Sequence, residues 1–163
     1  MRCHFAIYPT TQLREATRWG AAGKISGRGF KRNQVLWVSF VLKTPTKKIY
    51  LGADSGYDTH FKEIGDAHGP FDLALLECGQ YNKNWKYIHM MPEETIQAAI
   101  DLKTTAAMPV HWGKFALANH AWDDPIERAS KAAKDKNVKL ATPMIGEVVE
   151  LNLPKNFARW WAN

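Results

Sequence analysis

No stretch of this 163-residue chain approaches the roughly 18 consecutive apolar residues that a bilayer-spanning helix requires, so a helical integral membrane protein is not expected. The opening residues MRCHFAIYPTTQLREATR lack the long apolar segment and small-residue cleavage site of a secretory leader, and a cytoplasmic location is the expectation. Cysteine is scarce. Cys3 and Cys78 stand far apart, with no CxxC and no mixed Cys/His spacing, which argues against a disulfide framework or a zinc ribbon and leaves two free thiols. Internal repeats, low-complexity tracts and interdomain linkers are also missing, and the length suits one ordinary domain. With 45% hydrophobic residues, seven Trp and 12% aromatics, the composition is that of a folded domain with a substantial core. Charge is unbalanced: the net value is +6 and the pI near 9.3. Arg14, Arg18, Lys24, Arg28, Lys31 and Arg32 supply it early, and Lys131, Lys134, Lys136 and Lys139 late. Such a field favours encounter with phosphate-bearing partners. A solvated basic face is the plainer reading, and no nucleic-acid-binding motif accompanies it.

Alternation of strand-like and helix-like segments predicts an α/β protein. The run QVLWVSFVL (Gln34 to Leu42) is β-branched and aromatic, as in a buried strand, and Thr44-Pro45-Thr46 turns it into a second strand over Lys48 to Gly52. Tyr57 to Ala67 predicts a short helix ended by Gly69-Pro70, and Asp72 to Glu77 another short apolar strand before the irregular Gly79 to His89. Pro92, followed by Glu93 and Glu94, opens a helix, because Pro suits the first turn and acidic side chains complement the positive end of the helix dipole. Ala106 to Val110 predicts a strand and Asp124 to Lys136 a last long helix, with closing strands over Val138 to Ala141 and Gly146 to Leu151. Residues 1–24 show no strong pattern and form a poorly assigned N-terminal segment beside a half-domain over 25–163.

Two side chains stand where chemistry is often placed. Asp54 follows the second strand in the turn Gly-Ala-Asp-Ser-Gly, and His111 follows the strand Ala106 to Val110 directly. Open α/β sheets bind ligands at such strand ends, and carboxylate with imidazole suits a metal such as zinc. Ordinary turn chemistry for Asp54 and a hydrogen-bonded histidine beside Trp112 are the alternatives that spacing leaves open. A catalytic zinc needs about three protein ligands, and two are too few.

The segments SGRGF (Ser26 to Phe30), LGADSGY (Leu51 to Tyr57), FKEIG (Phe61 to Gly65), GPFDLALLECGQY (Gly69 to Tyr81), HMMPEET (His89 to Thr95) and PVHWGKFALA (Pro109 to Ala118) occur in one order. Through them the chain resembles the C-terminal half of metallo-β-lactamase-fold hydrolases, in the branch of N-acyl-phosphatidylethanolamine-hydrolysing phospholipase D. The resemblance spans roughly Ser26 to Leu151. It implies a partial αββα sandwich with a mixed sheet and helices outside, and a dinuclear metal site at one edge. Asp54 would be the carboxylate bridging the two ions and His111 a ligand of one of them, both therefore catalytic, with His89 on the substrate side. The implied chemistry is metal-activated attack of water on a phosphodiester of phospholipid type.

Departures from the family pattern bear on activity. The HxHxDH motif that supplies most ligands of the family is absent, and Lys24 stands where a family histidine precedes the SGRG segment. His120 and Asp123 in HAWDD are read as structural rather than as substitutes. The chain is therefore expected to be a truncated or split metal-dependent hydrolase, inactive alone, with zinc held weakly or not at all. A non-catalytic scaffold and a basic nucleic-acid-binding module are the alternatives. Half a sandwich leaves an apolar sheet face uncovered, so a homo-oligomer or a complementary N-terminal half is the expected partner, with Val35 to Leu42 near the contact. The terminal FARWW (Phe157 to Trp161) belongs to that contact, to a membrane surface or to the core, and a core position is expected for at least one Trp.

Overall fold

A computed structural model describes residues 4–9, 38–151 and 156–162. Among these residues five strands form one mixed sheet in chain order: β1 (His4–Pro9), β2 (Val38–Lys43), β3 (Lys48–Leu51), β4 (Leu73–Glu77) and β5 (Ala107–Val110). β1, β2 and β3 pair antiparallel, with Phe40 opposite Leu51 and Leu42 opposite Ile49. β3, β4 and β5 run parallel, because helices α1 (His60–His68) and α2 (Pro92–Asp101) carry the chain back between them. A third helix, α3 (Asp124–Asp135), follows.

The sequence explains each helix start. Pro92 occupies the first turn of α2, and the Glu94 carboxylate accepts the Met91 N–H at 2.8 Å, satisfying a donor the helix itself leaves open. In α3, Pro125 does the same service, with Asp124 and Glu127 in the first turn. Period-2 burial along the strands sends Val41, Tyr50, Ala74, Leu76 and Ala107 to one face of the sheet, where they pack with Phe61 and Ile64 of α1 and Ala98, Ala99 and Leu102 of α2. α3 packs on α2 through Ile96, Ala129, Ala132 and Ala133, beside the buried thiol of Cys78. The other face presents Phe40, Leu42, Ile49, Leu51, Leu75 and Met108, all half-buried and continuous across the ladder register.

Most expected elements appear within a few residues of their predicted limits, and three findings differ. Val138 to Ala141 makes only an isolated bridge, Leu140 to Ala107, and Gly146 to Leu151 forms no strand, having no strand partner among the described residues; Val148 is 74% exposed. β1 lies inside the segment for which no pattern is legible. Residues 34–37 of the first predicted strand, the Arg14 to Gly23 stretch and Lys24 fall outside the described residues. At the C-terminus Trp161 is buried, edge-on to Trp112 and Trp160, and its indole N–H donates to Glu127 at 2.7 Å, so one Trp of FARWW packs into the protein.

Candidate metal centre

The C-terminal ends of the three parallel strands lie at one edge of the sheet, and each delivers an ionisable group. Asp54 follows β3, Glu77 ends β4, and His111 follows β5, while His89 comes from the segment that leads from β4 into α2. Left-handed backbone at Ala53 (φ 54°), Gln80 (φ 60°) and His111 (φ 66°) bends the chain just past each strand. For residues with a Cβ this conformation is uncommon, and it concentrates where the surrounding structure imposes it. Two glycines make the loops fit. A Cβ on Gly79 would collide with the His111 carbonyl oxygen, and one on Gly56 with the Lys86 carbonyl oxygen. The first close approach sets His111 against the end of β4. The second ties the Asp54 loop to the segment carrying His89.

One donor atom from each of Asp54, His89 and His111 lies within 4.8 Å of the others. His111 Nδ1 is 3.4 Å from Asp54 Oδ1 and 3.9 Å from Glu77 Oε2, and His89 Nδ1 is 3.4 Å from the same Glu77 oxygen. Asp54 and His111 are open to solvent, with side chains 49% and 38% exposed, whereas Glu77 is 1% exposed. Its Oε1 accepts the Met90 N–H, and Thr95 Oγ1 donates to its carbonyl oxygen at 2.9 Å. The Glu77 carboxylate raises the pKa of His111 above the ordinary imidazole value; partial burial opposes this, and Asp54 adds to it. Trp112 turns away from this edge, its indole N–H donating to the Pro109 carbonyl at 2.9 Å and its ring stacked on Trp160. Adjacent residues thus serve different layers of the molecule.

The structure brings Asp54, His89 and His111 together and leaves His120 and Asp123 elsewhere. His120 stacks on Tyr81 at 4.3 Å, and Asp123 precedes α3 without a capping hydrogen bond from its side chain. Glu77 and Gln80 are the site residues that motif reading passes over. Gln80 is 4% exposed and braces the loop beyond His111, donating to the Phe115 carbonyl and accepting the N–H groups of Leu117 (2.6 Å) and Ala118 (3.1 Å). The signal available was a charged residue closing the apolar LALL and an amide residue directly after Gly79.

The donor set fits a divalent cation. Two ligands about 2.0 to 2.2 Å from one tetrahedral ion stand roughly 3.3 to 3.6 Å apart. The 3.4 Å between His111 and Asp54 matches that spacing. The late lysines Lys131, Lys134, Lys136 and Lys139 are exposed, and Lys136 donates to Gln97 at 2.8 Å, as on a solvated face. No helix among the described residues is long and apolar enough to cross a membrane.

Residues 9–112 match the family model described as beta-lactamase superfamily domain. A Klebsiella pneumoniae protein called outer membrane protein RomA is 58% identical over 114 residues, covering 70% of this chain and 86% of that one. The N-acyl-phosphatidylethanolamine-hydrolyzing phospholipase D 1 of Caenorhabditis elegans is 28% identical over 144 residues, covering 82% of this chain. This chain spans 40% of the nematode protein's length, and 38% of the length of mycobacterial relatives. Among solved structures, the metallo hydrolase Igni18 of Ignicoccus hospitalis superposes with a TM-score of 0.60 at 18% identity, over 90% of this chain and 52% of that one. These matches favour a hydrolase family over a basic nucleic-acid-binding module.

Proposed function

The chain belongs to the metallo-β-lactamase superfamily, as a hydrolase-fold member related to the phospholipase D branch, and from that premise we propose that its strand-end cluster is part of the metal site of a phosphodiester hydrolase. The observation that carries the reading is the convergence of Asp54 and His111, from strands β3 and β5, on one point at the edge where ligands of parallel sheets gather. Asp54 and His111 would hold the metal, zinc being the ion their chemistry suits. When bound, such an ion activates water and stabilises negative charge on phosphoryl oxygens. Asp54 offers two carboxylate oxygens for this purpose, Gly79 leaves room for the His111 carbonyl, and Gln80 holds the loop beyond it. His89, within reach of the same point, faces the side from which substrate enters. Exposed Trp85, Tyr87 and Ile88 from the same segment suit a substrate with an acyl or lipid portion.

A dinuclear centre needs more donors than the described residues bring to this edge. The others come from a segment bearing HxHxDH, in a longer form of the protein or in a second polypeptide. The half-buried apolar face through Phe40, Leu51, Leu75 and Met108 would meet the sheet of that segment, and catalysis depends on the union. The test is phosphodiester hydrolysis with elemental analysis, on the chain alone and on the chain supplied with an HxHxDH-bearing half. Hydrolysis that appears only with the added half, and disappears with a chelator, is expected. Full hydrolysis with two firmly held ions in the isolated chain, or no hydrolysis in either sample, would overturn the proposal. Light scattering supplies a second check: a monomer at micromolar concentration in the mixed sample would remove the sheet-on-sheet union.

A further inference from the structure

The buried polar atoms at this edge include two that lack a hydrogen-bond partner, and they face each other. Glu77 Oε2 and His89 Nδ1 are both inaccessible to solvent, both unsatisfied, and 3.4 Å apart. Leaving a buried carboxylate oxygen with nothing to accept from is unfavourable, and a buried imidazole nitrogen left unpaired adds to that cost. Each is the other's nearest remedy. A hydrogen bond in which His89 Nδ1–H donates to Glu77 would satisfy both atoms. The Met90 N–H holds the far oxygen of the same carboxylate, so the pair has little freedom to separate. With its proton fixed on Nδ1, His89 keeps the lone pair on Nε2.

We propose that this chain carries a complete three-donor site for one divalent cation, formed by Asp54, His89 and His111, with Glu77 as the positioning residue that turns His89 from a substrate contact into the third ligand. The proposal rests on the metal-site reading above and goes beyond it, because that reading takes only Asp54 and His111 from this chain. Three protein ligands with a position left open is the number a catalytic zinc takes. A carboxylate behind a ligating imidazole is also the usual arrangement, since it fixes the tautomer and strengthens the donor nitrogen. The exposures are graded to suit: Asp54 and His111 meet solvent, His89 is mostly covered at 12%, and Glu77 lies behind at 1%. The site would load one ion before any complementary half arrives.

The experiment titrates the isolated chain with cobalt(II), followed by calorimetry and by the visible absorption of the ion. One cobalt per chain is expected, with the intensity of a low-coordinate site. His89→Ala should lower affinity at least tenfold, and Glu77→Gln by about 10- to 100-fold. Adding Glu77→Gln to His89→Ala should cost nothing more, because Glu77 acts through that ring. A purely structural Glu77 would give independent losses instead. Long-range proton–nitrogen spectra of the metal-free protein read the same point without any variant, so a Glu77 variant that fails to fold does not decide the matter. A His89 carrying its proton on Nδ1 is expected, and one carrying it on Nε2 would overturn the proposal. So would no bound cobalt, or an affinity unchanged in His89→Ala. If the isolated chain binds no cobalt but the mixture with an HxHxDH half hydrolyses phosphodiesters, this inference falls and the proposed function stands. One ion bound by the chain with no hydrolysis in the mixture gives the reverse result.

Discussion

Histidine occupies two places in this protein under opposite conditions. His60, at the start of α1, is 4% exposed, lies against the Phe61 ring at 4.0 Å and has Ser55 Oγ at 3.3 Å from Nε2. Burial there pushes its pKa down to about 4, with Asp58 and Glu63 offsetting only part of the effect. At the strand ends, His111 faces two carboxylates and water, and its pKa moves up. Only six positions separate Asp54 from His60 in the sequence, and both stand in the stretch GADSGYDTHF. The contrast shows that a turn can send one side chain to the edge of the sheet and the next imidazole into the core, so residue type alone assigns neither role. Where polar groups are closed by local partners, histidine stabilises the fold; at the strand ends it stands among carboxylates and open to solvent.

The largest change in stability should come from the junction that keeps the two places distinct. Gly79→Ala forces a Cβ into the His111 carbonyl oxygen, and a loss of about 2 to 3 kcal/mol in urea denaturation is expected, accompanied by weaker cation binding. Unchanged stability would mean that β4 and β5 are not locked there. The second effect belongs to the buried histidine. Since His60 binds its proton less readily in the folded state than the ordinary value of 6.5, the unfolded chain takes up more protons between about pH 6.5 and 4. Stability contributed by neutral His60 is present above pH 6.5 and is lost progressively as pH falls through about 4. Denaturation curves at several pH values should show that slope, and His60→Gln should flatten it. The smallest effect should come from the exposed donors. Asp54→Asn and His111→Asn are expected to alter stability by no more than about 0.5 kcal/mol, Asn being tolerant of the left-handed backbone at position 111. Calorimetry should nevertheless find cation affinity reduced at least tenfold. A large loss of stability in either variant would move the strand ends into the structural class with His60.

Much of the fold is legible locally. β2, β3 and α2 announce themselves through a β-branched run, a Thr-Pro-Thr turn and a Pro-Glu-Glu start, each of which acts within a few residues. The strand ends carrying Asp54 and His111 are legible for the same reason, and the ordered motifs of the superfamily make their convergence an expectation. The apolar residues of Gly146 to Leu151 mislead, because a strand needs a neighbour with free edge groups, and pairing is not written in one segment. β1 is hidden by the converse: its register is set by β2, with Ile7 opposite Phe40, not by its own pattern. Glu77 escapes notice because its role depends on a ring twelve positions later and on burial, and neither is visible from a charged residue closing an apolar run.

Pro109 has a consequence for how this sheet can grow. The N–H of Ala107 points outward from β5 to the Lys139 carbonyl at 2.9 Å, and the residue two further along, on the same side of the strand, is a proline with no hydrogen to offer. Beyond Leu140 that border is chemically blunt. An incoming chain cannot extend the ladder past β5 without leaving a carbonyl unanswered, and runaway edge-to-edge polymerisation is discouraged at that margin.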